Sequence, residues 1–296
     1  MAYRLESYTP GERADYLRLH HATRGGEAAL SGEEFDWWFD GNPAGSLMSV
    51  ARANGRVVGV ASHSLYRMVL EGEQQLASFS VHASTDESAR GQGIFSALER
   101  KHEQEAQARG AAVVLAFASK STESIFLGPL EWTPVTRLRI WARPLPFLVR
   151  SRSRAERVER FTHEGDAAAH WPNHVVRDAA YLNWRYVDSP KGYQCFRTGD
   201  AYAVLGHKRQ RGQPVAYVAD LVAAEPSAVL RGCLVAARRG SRALFALPAL
   251  AHRSAYLKLG FVPTPWALNF IGRALAGRLN TDPRAWQFSL GDTDFF

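Results

Sequence analysis

The sequence predicts an α/β protein of the α+β type, built as two tandem domains, each a mixed, mostly antiparallel sheet flanked by helices. Three observations predict it. Runs with strand-like alternation succeed one another across tight turns, which builds an antiparallel meander. The last run of the first meander ends in a glycine loop, Arg90-Gly91-Gln92-Gly93, that opens a strongly helical stretch. Motifs at 35–43 and 130–134 then recur at 182–190 and 259–263, so one architectural unit is used twice.

Taken in order, residues 3–8 read as a short strand and 11–23 as a helix with Thr9 before it as a cap. A second helix starts after Ser31, with Glu33 and Glu34 in its first turn, and stops before Pro43. Strands at 46–53 and 56–70 flank Asn54-Gly55, the strongest short hairpin signal, and a third at 76–85 follows Glu71-Gly72-Glu73. After a helix at 96–107, residues 111–119 form a continuous apolar run, the pattern of a strand buried on both faces. A short helix at 121–127 is stopped by Gly128-Pro129, and a strand follows at 136–142. This is not the alternating βαβ order of a dinucleotide-binding fold.

The second half echoes the first. Phe35-Asp36-Trp37-Trp38-Phe39-Asp40-Gly41-Asn42-Pro43 aligns with Leu182-Asn183-Trp184-Arg185-Tyr186-Val187-Asp188-Ser189-Pro190, and Leu130-Glu131-Trp132-Thr133-Pro134 with Leu259-Gly260-Phe261-Val262-Pro263. Between these anchors lie a hairpin at 201–208 and 215–223, a helix at 227–239, a buried run at 243–247 and a helix at 252–259. The expected division is a first domain at 1–145, a connection at 146–175 and a second domain at 176–296. Where the first half has its glycine loop, the second has Ala223-Ala224-Glu225-Pro226-Ser227. Glu225 would repel a phosphate and Pro226 removes a donor N–H, so the second domain is expected to be a degenerate copy that holds no nucleotide. The closing residues 286–296 are expected to pack as a strand without chemistry, although Asp292, Asp294 and the final carboxylate would be at hand if they folded back on the first half.

Composition narrows the function classes. With 296 residues, 46% hydrophobic and 22% charged, the chain has an ordinary globular balance and ample length for two domains. The net charge of +7 suits an anionic ligand such as a nucleotide cofactor. The basic residues are scattered and lack the aromatic ribbons of single-strand binders, so nucleic acid is not the expected partner. The densest group, Arg150, Arg152, Arg154, Arg157 and Arg160, reads as a solvated linker or helix face. Cys195 and Cys233 have no pairing or metal motif, which argues against a disulfide framework, against a metal site and for a reducing compartment. Residues 1–10 lack the apolar core of a signal peptide, and no apolar run approaches the roughly 18 residues of a membrane span. A cytoplasmic protein without a membrane partner is expected.

Strand, glycine-rich turn and helix start together build an anion site. The first N–H groups of a helix have no intrahelical partner, the dipole puts partial positive charge there, and glycine lets a phosphate approach the backbone. A plain strand-to-helix turn is the alternative reading. The residues Arg90-Gly91-Gln92-Gly93-Ile94-Phe95, with Leu98, resemble the Gln/Arg-x-x-Gly-x-Gly/Ala acyl-CoA loop of the GNAT superfamily of N-acyltransferases, with Phe95 replacing the final small residue. The resemblance runs over residues 3–144, and the doubled architecture resembles tandem GNAT proteins. It implies acetyl-CoA or another acyl-CoA as cofactor, its pyrophosphate held by the backbone N–H groups of Gly91, Gln92, Gly93, Ile94 and Phe95 with Arg90 as charged partner. It further implies that the backbones of Ala83, Ser84 and Thr85 meet the pantetheine and thioester, and that Ser119 stands near the position of an Asn that helps bind the pantetheine arm. Ser119 reads equally well as a strand-end cap for the next helix.

The superfamily often carries a strand Glu as general base, which falls here near Phe79, and a Tyr as general acid, which falls at Leu127; neither group is present. His82 is the local candidate base because its ordinary pKa suits proton removal near neutrality, with Ser80 able to order a water and His63 as a rival. A lone strand histidine is also commonly structural. Tyr256 occupies the Tyr position in the second half, where no loop accompanies it, and reads as a core or pocket residue. The aromatic residues Trp37, Trp38, Trp184 and Tyr186 line either a pocket or the core. The expected function is N-acyl transfer, most simply N-acetyl transfer, to an amine of a small molecule lying in the groove between the halves. The alternatives are a non-catalytic acyl-CoA-binding or scaffold protein, or a transferase whose donor is an acyl carrier protein or an aminoacyl-tRNA.

Overall fold

The computed structural model describes residues 2–25, 29–145, 155–168 and 171–294. Arg150, Arg152, Arg154, the larger part of the expected connection's start and Phe295 and Phe296 lie outside the described residues. The chain divides into two compact units. One is Met1–Thr136 with Asn269–Asp282, the other Arg137–Leu268 with Pro283–Phe296. The units are therefore discontinuous, whereas the sequence was divided at 145 and 175. A strand that runs through a unit boundary carries no mark of it in its own periodicity.

In the first unit β1 (Arg4–Ser7) precedes α1 (Arg13–Arg24) and the short α2 (Gly32–Phe35), which continues as a π-helical turn, Asp36–Asp40. A capping box starts α2: the Ser31 hydroxyl accepts the Glu34 N–H, and the Glu34 carboxylate accepts the Ser31 N–H. Then come β2 (Ser46–Ala53), β3 (Arg56–Leu70), β4 (Glu73–Thr85), α3 (Ile94–Ala108), β5 (Ala111–Ala118), α4 (Glu123–Leu127) and β6 (Thr133–Pro144). β1 to β4 pair antiparallel in sequence order and β5 joins β4 in parallel. Residues 269–274 complete the sheet antiparallel to β5. All eight residues of β5 are buried, as its unbroken apolar run requires.

In the second unit β6 is followed by β7 (Glu156–Val158), β8 (Asn173–Val175), α5 (Ala179–Leu182) with a π-helical turn Asn183–Val187, β9 (Gln194–Thr198), β10 (Ala201–Gln210) and β11 (Gln213–Val222). α6 (Ser227–Ala237), β12 (Ala243–Ala246), α7 (Arg253–Lys258), β13 (Val262–Ala274) and β14 (Trp286–Gln287) complete it. Its sheet runs β6-β12-β11-β10-β9-β7, with β11 and β12 parallel. The repeat is thus structural. The two π-helical turns, Asp36–Asp40 and Asn183–Val187, fall on the positions that align in sequence. A bulge recurs as well: β4 places His82 and Ala83 opposite a single residue of β3, and β11 carries Ala219 as an extra residue opposite β10.

The closing segment departs from expectation. Only Trp286–Gln287 is strand, paired with β8, and Leu290–Asp292 is a 3-10 turn. The reason is Asp292. Its carboxylate accepts the Ser289 N–H and faces the buried guanidinium of Arg177 at 2.6 Å, which curls the backbone into a turn.

Two first-unit histidines are buried and neutral. Burial holds the His102 imidazole well below its usual range and brings His20 down to about 4. Both folded-state values lie below the unfolded one, so the unfolded chain binds more protons as pH falls. The stability that His20 contributes is full above about pH 6.5 and is lost between there and pH 4, about 2–3 kcal/mol, and that of His102 is lost in the same direction as pH falls. A urea midpoint measured at pH 7 and pH 4.5 is expected to show this drop, and His20→Leu to flatten it.

Candidate functional site

The site begins where β4 and β5 part. Their parallel pairing runs from Leu76↔Ala111 to Phe79↔Leu115 and stops there. Beyond it β4 stays paired with β3 as far as Thr85↔Gly59, and β5 stays paired with residues 269–271 through Ala118↔Asn269. The facing edges at 80–85 and 116–118 are left without each other, which opens a wedge lined by backbone N–H and C=O groups. The β4 bulge lies in the wedge, and His82 sits there at φ 49°, a left-handed conformation that histidine tolerates better than most residues.

Each side chain on this edge has a definite direction. Ser84 is buried and its hydroxyl accepts the Thr23 hydroxyl of α1 at 2.7 Å, so only its backbone serves the wedge. The Tyr16 hydroxyl donates to the His82 carbonyl at 2.8 Å. The His82 ring is buried on the α1 side against Trp38, His20 and Phe39, with ring centroids at 4.8, 5.6 and 5.9 Å. Ala83 and Thr85 are half-buried. Ser80 is half-buried and points to the opposite face, where its hydroxyl donates to Glu99 of α3 at 3.0 Å.

From Thr85 the chain passes an Asp86–Ser88 turn, in which the Ser88 N–H and hydroxyl both donate to Asp86 and hold its carboxyl below the usual range. It then enters the loop. Gly91 and Gly93 both have φ 75°, and a side chain added at either would meet nothing within 4 Å. The loop therefore faces open space. Gly93 is the N-cap of α3, no side chain caps it, and the first turn contains no acidic residue. Ile94, Phe95 and Ser96 thus present uncapped N–H groups at the positive end of a 15-residue helix. The Gln92 amide donates to the Ser88 carbonyl at 3.4 Å, while its own carbonyl oxygen is buried without a hydrogen-bond partner. Arg90 is exposed beside the loop. Phe95 packs on Phe126 of α4 at 5.4 Å, so its ring braces the helix from beneath. The donors, the open space and the lack of an acidic residue in the first turn of α3 fit a pyrophosphate.

Gly59 of β3 sets the helix position. A Cβ there would stand 2.6 Å from Ile94, the first residue of α3. Gly59→Val is expected to push the helix start off the sheet and weaken binding of coenzyme A about tenfold or more in a calorimetric titration, because the donor N–H groups move with it.

Ser119 lies at the end of β5, its hydroxyl within 2.9 Å of Ser121 and 3.0 Å of Thr122, in the turn that leads into α4. Leu127, half-buried at the end of α4, packs into the first unit's core. Phe79 joins an aromatic row with Tyr66 and Phe117 at 5.1 and 6.1 Å. In the second unit Tyr256 is buried against Phe261 at 5.1 Å and is a core residue. There the bulge residue Ala219 is covered by Gly291, where an added Cβ would stand 2.8 Å from the Ala219 carbonyl. Glu225 is exposed at the start of α6 and Pro226 is its N-cap. Among the described residues no cluster of His, Cys, Asp and Glu suits a metal, and no helix is long and apolar enough to cross a membrane.

Two residues of the site were missed in the sequence, Glu99 and His20. Glu99 sits among charged neighbours on a helix that reads as amphipathic, and only its depth, fully buried, distinguishes it. His20 donates nothing visible to local pattern either.

The comparisons agree with this geometry. The family model described as "Acetyltransferase (GNAT) domain" matches residues 5–134. A search of curated proteins found no match. Among solved structures the chain is similar to a GCN5-related N-acetyltransferase from Anabaena variabilis ATCC 29413, with TM-score 0.66 and 10% identity over 93% of this chain and 73% of that one. It is also similar to a GCN5-related N-acetyltransferase from Kribbella flavida, with TM-score 0.62 and 15% identity over 92% and 71%. A third is Eis1 from Mycobacterium abscessus, with TM-score 0.59 and 15% identity over 93% and 74%. At these identities the likeness to solved structures is one of fold. Residues 5–134, which carry the meander, the wedge and the glycine loop, belong to the GNAT acetyltransferase family.

Proposed function

We propose that the protein is an acyl-CoA-dependent N-acyltransferase, with acetyl-CoA as donor and an amine of a small molecule as acceptor, acting in the cytoplasm. The observation that carries this reading is the continuity of the wedge with the loop: the unpaired β4 edge at 80–85 leads directly to the uncapped start of α3. The N–H groups of residues 91–95 hold the pyrophosphate, with Arg90 as a charged partner. The backbones of Ala83, Ser84 and Thr85 hold the pantetheine arm, and Ser119 borders it. The bound donor supplies a thioester carbonyl open to direct attack by the amine. The bulge at His82 turns backbone donors towards the wedge, where they can stabilise negative charge on that carbonyl oxygen. His82 is proposed for this left-handed backbone, its ring being packed on the α1 side, and Ser80 as the hydroxyl on the other face.

Thiol release from acetyl-CoA across a panel of amines tests the reading, together with calorimetry of coenzyme A binding. Turnover on at least one amine supports it, and absence of binding sinks it. Binding without turnover on any amine would favour a non-catalytic acyl-CoA-binding protein, the reading that Leu127 and Phe79 support by standing where an acid and a base are otherwise found. His82→Asn retains a residue tolerant of the left-handed region and removes the imidazole. A fall in kcat of about 100-fold would assign the ring a proton-transfer role, and an unchanged kcat would leave it the conformational one.

A further inference from the structure

A buried polar cluster lies beneath the wedge, between α3 and the sheet, and the fold alone does not require it. Its centre is Glu99, fully buried on α3. One carboxylate oxygen accepts the Ser80 hydroxyl at 3.0 Å and the other faces His63 Nε2 at 2.9 Å. Ser80 and His63 are directly opposed across β4 and β3, so Glu99 spans a cross-strand pair. Because a carboxylate only accepts, Nε2 of His63 carries the proton. Nδ1 of His63 lies 2.9 Å from the hydroxyl of the buried Ser78. The cluster is closed on every side but one. Ser80 is its half-buried member, and it is the first residue of β4 beyond the last pair with β5, at the apex of the wedge.

We propose that Glu99, held by His63 and reached through the Ser80 hydroxyl, is the proton acceptor of the acyl-transfer site, so that the carboxylate absent from β4 is delivered from α3. The proposal rests on the acyl-transfer reading above. Ser80 touches the reacting atoms, and Glu99 and His63 act through it. As the amine nitrogen bonds to the acyl carbon, its proton passes to Ser80 Oγ while the Ser80 proton passes to Glu99. As the carbon–sulfur bond breaks, the electron pair leaves with sulfur, and the proton returns from Glu99 through Ser80 to give the thiol. Glu99 ends as it began, and no further reactant is needed. The hydrogen bond from Ser80 to Glu99 is already made at 3.0 Å, so this exchange is a matter of proton shifts rather than side-chain movement. A buried carboxylate is costly unless each oxygen has a donor, and Ser80 and His63 supply one each.

Other charged groups face the cluster. The His102 ring lies 4.7 Å from that of His63 and bonds the Ser49 hydroxyl of β2. Glu103, one turn along α3, is engaged by Trp132 and Arg273, and Lys101 pairs with Glu105. Burial keeps His102 neutral.

The test has a spectroscopic and a kinetic arm, with thermal melts establishing that each variant is folded. In the protein labelled uniformly with 15N, the ring nitrogens of His63 and the backbone amides of the loop are followed on adding coenzyme A, and separately desulfo-coenzyme A, which lacks only the sulfur. Shifts caused by coenzyme A alone, and abolished by Ser80→Ala, support the relay; equal responses to the two ligands, or none while the loop amides respond, overturn it. If neither ligand moves the loop amides, the coenzyme A reading itself fails and takes the relay with it. In thiol-release kinetics Ser80→Ala and Glu99→Gln are expected to lower kcat about 100-fold at unchanged acetyl-CoA KM and to remove the acidic limb of the kcat–pH profile, whereas Ser80→Thr, which keeps the hydroxyl, is expected to retain activity. Folded Glu99→Gln with a wild-type kcat–pH profile overturns the proposal.

Discussion

Gly93→Glu is expected to reduce coenzyme A affinity by about 100-fold or more, roughly 2.7 kcal/mol. Two effects act together at this position. The substitution puts a side chain into the open space before α3, where an added Cβ now meets nothing within 4 Å. It also places a carboxylate at the positive end of the helix, where it would bond the uncapped N–H groups and repel the pyrophosphate. The φ of 75° adds a backbone cost of about 1–2 kcal/mol, which bears on stability. Gly93→Ala carries that backbone cost without the charge and serves as the control. Calorimetric titration of both variants against coenzyme A checks the prediction. Equal affinities for Gly93→Glu and the unsubstituted protein would show that the loop is a mere turn and that the cofactor, if bound at all, lies elsewhere.

Arg177→Met is expected to destabilise the second unit by about 3–5 kcal/mol. The Arg177 guanidinium is fully buried between two carboxylates, Asp292 at 2.6 Å and Asp220 at 3.3 Å, and also donates to the Val175 carbonyl and the Ser289 hydroxyl. Tyr181 donates to Asp292 and Tyr202 to Asp220, so each acid has support besides the arginine. Burial already pushes the Asp220 carboxyl up. Removing the one cation leaves two buried acids facing each other, and one of them must then take up a proton. The urea midpoint of Arg177→Met should fall at pH 7 and partly recover towards pH 5, as protonation relieves the pair. A midpoint within error of the wild type would show that the cluster is not a source of stability. The same cluster explains why the closing segment is a turn rather than a strand: the side chain of Asp292 is drawn inward, and a short apolar-aromatic tail carries no sign of that in its pattern.

Much of the first unit was legible because its signals are local. Asn54-Gly55 can only turn between two alternating runs, and the eight buried positions of β5 follow from an unbroken apolar run. The glycines at 91 and 93 mark left-handed backbone before a helix, and both adopt it. Boundaries moved by a few residues. α3 begins at Ile94 rather than at 96, because the helix starts as soon as Gly93 has capped it, and β4 begins at Glu73 rather than at 76. The long β13 was not foreseen, since Pro263 and Pro265 interrupt its pattern near the start.

The sequence by itself determined the order of elements, the glycine loop and the doubled unit, down to the aligned segments that become π-helical turns in each half. These depend on turn chemistry and on spacing within a few residues of chain. Tertiary structure alone decided that β4 and β5 part after Phe79, that the units are assembled from discontinuous segments, and that Glu99 meets Ser80 and His63 across gaps of 19 and 36 residues in sequence. The physical reason is that a strand's periodicity records which face is buried but not which strand lies beside it. A charged residue on a helix likewise does not show whether it faces water or a pair of donors beneath the sheet; only packing settles where its charge is held.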